Sequence, residues 1–378
     1  MAPLYTYQPS RSLYVAYFGL SLLIKFPAWC IYYIQRRNRQ RPSWTLKRCL
    51  IISVAQSLSA FPVKLNFRQK IDPSAKYKDA QFAWMEPVRD DLVRGQLKFY
   101  AKDPGVVPAR VSGYWLFKPA REDEKTVLHF RVGAFTTGSA NPNFMTSNIT
   151  RGLLEHSRSL MRTFGVEYRL SSLSPNPPEN LFPATVLDAL AGYRSLIEDM
   201  RFQPRNVIIA GDSAGGHIVE VLIRYLVDNA IPSLPPPGHL LSVSTTLDLS
   251  ASRNGSGTSQ ERNAVCDIFA PKKSWEQIVK HSTDSILGPI SRELAKTDPF
   301  LSPSSPYVQP ATGLFNVAGG SERLCDDSEL LTQKMAADGI EVITDIPSDA
   351  VHDFLCFAWH EPERTQTLIR ISHWVDSP

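Results

Sequence analysis

Gly211-Asp212-Ser213-Ala214-Gly215 joins a short β-branched run, Asn206–Ala210, to a stretch of helical periodicity, Ile218–Val227. Small residues two places before and after a serine let a strand turn sharply into a helix, with Oγ projecting at the carboxyl edge of a sheet. The N-terminus of that helix brings partial positive charge to the place where an oxyanion would form. The pattern suits nucleophilic attack on an acyl carbon, provided a base and an acid that orients it lie elsewhere in the chain.

After such an elbow the expected chain order is acid, then histidine. His352 lies in Ser348-Asp349-Ala350-Val351-His352-Asp353-Phe354, a loop after the strand-like VITDI, whereas His360 and His373 fall on helical segments. Three carboxylates follow the strand-like LFNVA: Glu322, Asp326 and Asp327. Glu322 is nearest the strand end and is preferred as the acid. Asp326 is the alternative, although Asp326 and Asp327 suit the start of the next helix. Oxyanion donors should come from backbone N–H groups of the loop after Thr126–Phe130, which reads Arg131-Val132-Gly133-Ala134-Phe135.

The elements that must position these residues alternate. Strands are expected at Phe82–Met85, Leu97–Ala101, Gly113–Lys118, Thr126–Phe130, Val166–Leu170, Asn206–Ala210, Leu240–Thr245, Gly313–Ala318 and Glu341–Asp345. Helices are expected over 143–163, Ala184–Asp199, Ile218–Val227, Ser328–Ala337 and Glu363–Val375. This alternation predicts an α/β fold with a mostly parallel sheet covered on both faces. The polar stretch 249–297 interrupts it and is expected to be an inserted lid.

The 378 residues are 43% hydrophobic and 21% charged, which excludes wholesale disorder and a polytopic membrane protein and fits one large α/β domain with an appendage. Cys30, Cys49, Cys266, Cys325 and Cys356 are scattered without C-x-x-C spacing, so neither a disulfide framework nor a zinc site follows. The acyl chemistry needs no metal or organic cofactor. Eleven of the 41 basic residues fall within 1–71, a segment with no Asp or Glu; the remainder carries 30 basic against 37 acidic residues. The body is therefore mildly acidic and has no nucleic-acid-binding character.

The basic excess surrounds an apolar stretch, Leu13–Ile34. As a helix it would be about 33 Å long, enough to cross a hydrocarbon core. Tyr14 and Tyr17 at one end and Trp29, Tyr32 and Tyr33 at the other match an aromatic belt, and RRNRQR (36–41) follows directly. The positive-inside rule then leaves the catalytic body cytosolic behind a single-pass anchor. Lys25 and Pro27 burden a span; a helix lying in the membrane surface and a lid helix packed on the enzyme body are the other readings. Leu50, Ile51, Val54, Leu58 and Phe61 form a second, shorter stripe, suited to a lid or membrane-facing helix. The expected organisation is 1–42 for the apolar helix and its basic flank, 43–80 for lid or linker helices, and 81–378 for the catalytic domain. Sequons at Asn148 and Asn254 would matter only if the body were lumenal.

Five landmarks together resemble the hormone-sensitive-lipase-like esterases of the α/β-hydrolase fold: TVLHFRVGAF, YRLSSLSPNPPENLFPATVLDAL, GDSAGGH, TDPFLSP and GGSERLCDD followed by VHDF. The resemblance implies Ser213 as nucleophile, His352 as base, and Glu322 as the acid at a position more often filled by Asp. It also implies oxyanion donors from the N–H groups of Gly133, Ala134 and Ala214, and lid segments around 45–75 and 249–297. The expected activity is hydrolysis of a carboxylic ester of small or medium acyl size. Two departures stand out. The family's His-Gly-Gly-Gly becomes Arg131-Val132-Gly133-Ala134, with Val132 costly if that position requires a positive φ. His217 replaces a commoner Asn, for packing or for a polar contact in the pocket. Acyl transfer or cyclisation in natural-product biosynthesis would use the same triad, and a non-catalytic ligand receptor could use the same fold.

Overall fold

The computed structural model describes residues 8–59, 72, 74–117, 124–173, 176–252, 255–269, 272–303 and 313–377. Phe61, Lys118 and Asn254, each part of an expectation above, lie outside them. Eight strands form one sheet: β1 (Ala80–Met85), β2 (Val111–Phe117), β3 (Lys125–Phe130), β4 (Leu160–Glu167), β5 (Val207–Asp212), β6 (His239–Val243), β7 (Gly313–Val317) and β8 (Val342–Asp345). Their order is β1-β2-β4-β3-β5-β6-β7-β8; the β1–β2 and β2–β4 pairs are antiparallel and the rest parallel.

The helices are α1 (Ser10–Ile34), α2 (Leu46–Leu58), α3 (Gly95–Lys102), α4 (Ser147–His156), α5 (Ala184–Arg194), α6 (Ala214–Asn229), α7 (Lys272–Leu287), α8 (Cys325–Ala337) and α9 (Glu363–Asp376). Two apolar clusters cover opposite faces of the sheet. One draws on α3, α5, α6 and α8, the other on α2, α4 and α9. β3 and β5 are almost wholly buried, as a central parallel sheet with both faces covered requires.

Register explains why distant residues meet. Phe130 pairs with Gly211, Asp212 with Val243, Val243 with Val317, and Val317 with Asp345. The carboxyl ends of β3, β5, β6, β7 and β8 are thus level, and the loops carrying Gly133, Ser213, Ser244, Glu322 and His352 leave one edge together.

Some expected elements are corrected. Leu97–Ala101 is helical, within α3: Leu97 and Tyr100 are buried while Phe99 is exposed, a spacing of three that a strand cannot give. The expected helix over 143–163 stops at His156, because the Asp376 carboxylate accepts from the backbone N–H groups of Arg158 and Ser159 and from the Ser157 hydroxyl. β4 then begins at Leu160 and ends at Glu167, so most of the strand expected at Val166–Leu170 lies earlier in the chain. The 249–297 stretch holds no strand among its described residues; it contains α7 and the single helical turns Ser259–Arg262 and Arg292–Ala295.

Candidate active site

Ser213 occupies the turn between β5 and α6 with φ 55° and ψ −113°, a strained backbone for any side chain. Its N–H is held by the Val243 carbonyl at 2.9 Å. Only glycine fits two places on: a Cβ on Gly215 would stand 1.9 Å from the Phe130 carbonyl oxygen. Among the described residues Ser213 Oγ makes no hydrogen bond, and the residue lines an open cleft.

Asp212, fully buried beside it, ties the elbow to the oxyanion-side loop. One carboxylate oxygen lies 2.8 Å from His129 Nε2, and the other accepts from the Val132 N–H at 3.0 Å and the Thr146 hydroxyl at 3.0 Å. In that loop Val132 does not have a positive φ, so the expected penalty there does not arise. The left-handed positions are Gly133 (146°), Ala134 (48°) and Phe135 (61°). A Cβ on Gly133 would meet the Thr137 carbonyl oxygen at 1.9 Å. Among the described residues the N–H groups of Gly133 and Ala134 donate to no recorded acceptor. Ala214 opens α6, where an N–H has no intrahelical partner.

Arg131 is a buried scaffold for this loop. Its guanidinium donates to Glu167 Oε1 at 2.9 Å and to the carbonyls of Thr137 and Tyr168, and it lies 4.0 Å from the Tyr168 ring centroid. Glu167 also accepts from the Ser139 hydroxyl and the Ala140 N–H, both at 2.7 Å. His217 is buried too, with Nε2 at 3.0 Å from the Leu301 carbonyl; burial lowers its pKa to about 4. This is the packing reading of His217.

Glu322 and His352 are brought together in the interior. Glu322 Oε2 accepts from the Ser244 hydroxyl at 2.6 Å and the Gly319 N–H at 2.8 Å, leaving Oε1 3.8 Å from His352 Nδ1. Ser244 Oγ in turn accepts the Asp353 N–H at 3.0 Å, so one hydroxyl fixes both the acid and the histidine loop. His352 Nε2 faces Asp353 Oδ2 at 3.1 Å without hydrogen-bond alignment, and does not bond Ser213. Asp326 instead sits in the first turn of α8, bonded to the Ser259 N–H and to Arg262.

Further carboxylates surround this imidazole. Asp267 accepts the N–H groups of Arg323 and Ile268, both at 2.6 Å, and burial lifts its carboxyl to about 6, His352 opposing that rise. Burial likewise pushes Asp353 up to about 7, again opposed by His352. For His352, burial disfavours charge, but Asp353 and then Glu322 outweigh it and hold the imidazolium well above the usual range. The Phe269 ring covers the histidine at 4.7 Å.

Ser244, Asp267, Asp353 and the Arg131–Glu167 pair were not singled out from sequence. Asp212 had a signal, its place next to Ser213 in the elbow; Ser244 and Glu167 had none. The cleft beside Ser213 has Phe135, Leu249, Phe269, Trp275 and Ile278 on its apolar walls.

Residues 127–356 match a family described as having the alpha/beta hydrolase fold. The chain is 27% identical over 285 residues to an acetyl-hydrolase of Streptomyces hygroscopicus, covering 74% of this chain and 84% of the relative. It is 26% identical over 300 residues to an esterase of Acinetobacter venetianus, covering 78% and 88%. A solved esterase from the bacterial hormone-sensitive lipase family superposes with TM-score 0.62 at 23% identity, over 86% of this chain and 97% of that one. With the level strand ends and the strained serine turn, these likenesses lead to one assignment: the chain belongs to the α/β-hydrolase fold family and is similar to its hormone-sensitive-lipase-like esterases.

Proposed function

We propose that the protein is a carboxylic ester hydrolase in which Ser213 is the nucleophile, His352 the general base and acid, and Glu322 the carboxylate that orients it. The observation that carries this reading is the Glu322–His352 pair at the same sheet edge as the strained Ser213 turn. The curated relatives named esterase and acetyl-hydrolase support the same reaction class.

In the proposed cycle His352 turns from Asp353 toward the cleft and takes the Ser213 hydroxyl proton on Nε2. Oγ bonds to the ester carbon, and the carbonyl oxygen gathers negative charge beside the N–H groups of Gly133, Ala134 and Ala214. The carbon–alkoxy bond breaks, the alcohol leaves with the proton from His352, and an acyl group remains on Ser213. Water then gives a proton to His352 and attacks the acyl carbon, releasing the acid and regenerating the serine. The apolar cleft walls support esters of small or medium acyl groups. A series of chromogenic esters of increasing chain length, run on the wild type and Ser213→Ala, tests the reading: turnover should depend on chain length and vanish in the variant. Undiminished turnover in the variant overturns it.

The chain is also proposed to associate with a membrane through residues 13–34, with the catalytic body on the cytosolic side. α1 is a 25-residue helix in which an 18-residue window has mean hydropathy 1.4, and the basic run 36–41 follows it. Sedimentation of the full chain with cell membranes tests this; a fully soluble chain overturns it.

A further inference from the structure

The cleft at Ser213 has two unlike sides, and they belong to opposite faces of the sheet. Phe135 and Leu249 line it from the apolar cluster that contains α5 and α6. The charged neighbour of Leu249, Asp248, is turned to its own loop, where it accepts from the Ser250 N–H at 2.8 Å and the Ser252 hydroxyl at 3.0 Å. This side offers a guest chiefly apolar surface.

The other side is polar. Gln260 and Arg323 line the cleft there, on segments that pack with the histidine loop. Cys266 shares the second apolar cluster with Val351 and Phe354, and Asn263 Nδ2 donates to the Glu322 carbonyl at 2.7 Å. The Ser259 hydroxyl donates to the Arg323 carbonyl at 2.7 Å, which fixes the turn carrying Gln260. Trp275 Nε1 donates to Gln260 Oε1 at 2.7 Å. An indole N–H only donates, so the amide oxygen is committed and the amide NH2 is what remains to bind a guest. The Arg323 guanidinium lies 5.4 Å from the Trp275 ring centroid and donates to the Gln260 carbonyl at 2.6 Å. Gln260, Trp275 and Arg323 also line a second cavity with Ser256, Glu261 and Glu276, so the polar lining continues past the indole.

The direction of bond breaking decides which half of an ester meets which side. When the carbon–oxygen bond breaks, the alkoxy oxygen keeps the electron pair and takes the proton from His352 Nε2. The alcohol therefore lies on the histidine side. The Phe269 ring, 4.7 Å from that of His352 and 4.5 Å from that of Trp275, joins this point to the polar wall. The acyl group is left to the side of Phe135 and Leu249.

We propose that the substrate is an ester of an apolar acyl group with a bulky, polyhydroxylated alcohol, and that Gln260 selects the alcohol. This deepens the esterase reading above and rests on it.

The test follows acid release by the full chain from three esters of similar bulk: methyl glucoside butyrate, cyclohexylmethyl butyrate and cyclohexylmethyl gluconate. The wild type should favour the glucoside butyrate over the cyclohexylmethyl butyrate by about tenfold in kcat/KM, the worth of one hydrogen bond of ordinary strength. Gln260→Leu should bring those two values together, a change in ratio that a mere loss of folded enzyme does not produce. The wild-type comparison stands by itself if the variant does not fold. A wild type that treats both butyrates alike overturns the proposal, as does an unchanged ratio in folded Gln260→Leu. Preference for the gluconate puts the polar wall on the acyl side and overturns it too. In each of these cases Ser213-dependent cleavage of chromogenic esters leaves the esterase reading standing; without such cleavage both fall.

Discussion

His352 Nε2 lies 3.1 Å from Asp353 Oδ2, closer than the 3.8 Å between His352 Nδ1 and Glu322 Oε1. The nitrogen that would serve Ser213 thus has a rival anion one residue along the chain. Burial opposes charge on the ring, yet Asp353 and Glu322 prevail and raise its pKa well above the ordinary value. Asp267 and Asp212 are the further carboxylates in this buried region. A general base must be neutral, so activity is lost as pH falls through this raised pKa. Asp353→Asn keeps the backbone bond to Ser244 but removes one negative neighbour, so the histidine pKa drops. The acid limb of the kcat/KM–pH profile should move to lower pH; an unmoved limb, or one at higher pH, contradicts the assignment of His352 as the base.

The two acid candidates separate by substitution. Glu322→Gln should lower kcat by about 10³–10⁴-fold, since the imidazole loses the charge that holds its tautomer. Asp326→Asn removes a partly exposed pair with Arg262 and should cost less than about 1 kcal/mol of stability, leaving kcat near wild type. Steady-state kinetics on one chromogenic ester compares them, and the reverse ranking would make Asp326 the acid.

Glu167 neutralises the buried Arg131 guanidinium and accepts two further hydrogen bonds. Removing it strands a charge in the interior. Glu167→Ala should therefore lose about 3–5 kcal/mol of stability, measured by urea unfolding. A loss below 1 kcal/mol would mean that solvent already reaches the guanidinium.

Within the neighbouring loop, two glycine substitutions should act in opposite directions. Ala134 has φ 48°, so Ala134→Gly relieves left-handed strain and should add about 1 kcal/mol. Val132 carries no such strain, and Val132→Gly should lose about 0.5–1 kcal/mol by freeing the unfolded chain. Thermal unfolding of both variants is the check; stabilisation by Val132→Gly would show that position 132 is the strained one.

The sheet was legible in sequence wherever a strand is central and buried. β3 and β5 announce themselves as Thr126–Phe130 and Asn206–Ala210 because both faces require apolar, often β-branched residues. The elbow was legible because steric demand at Gly215 leaves a local trace. Leu97–Ala101 misled because an apolar run of five fits either period, and only the burial of Leu97 and Tyr100 against α5 and α6 selects the helix. β4 was displaced because Asp376, at the far end of the chain, ends the preceding helix. Ser244, Asp353 and Glu167 were invisible for a related reason. Their hydrogen bonds and ion pairs link loops that only the level strand ends bring together, so no motif of fixed spacing records them.

Covalent capture of the serine tests the central claim most directly. The folded full-length chain is treated with a fluorophosphonate, digested, and its modified peptide sequenced by mass spectrometry. A single adduct on Ser213, absent in Ser213→Ala and strongly reduced in Glu322→Gln, is the expected result. A folded wild-type chain that takes up no label, or that is labelled at another residue while Ser213→Ala still turns over esters, contradicts it.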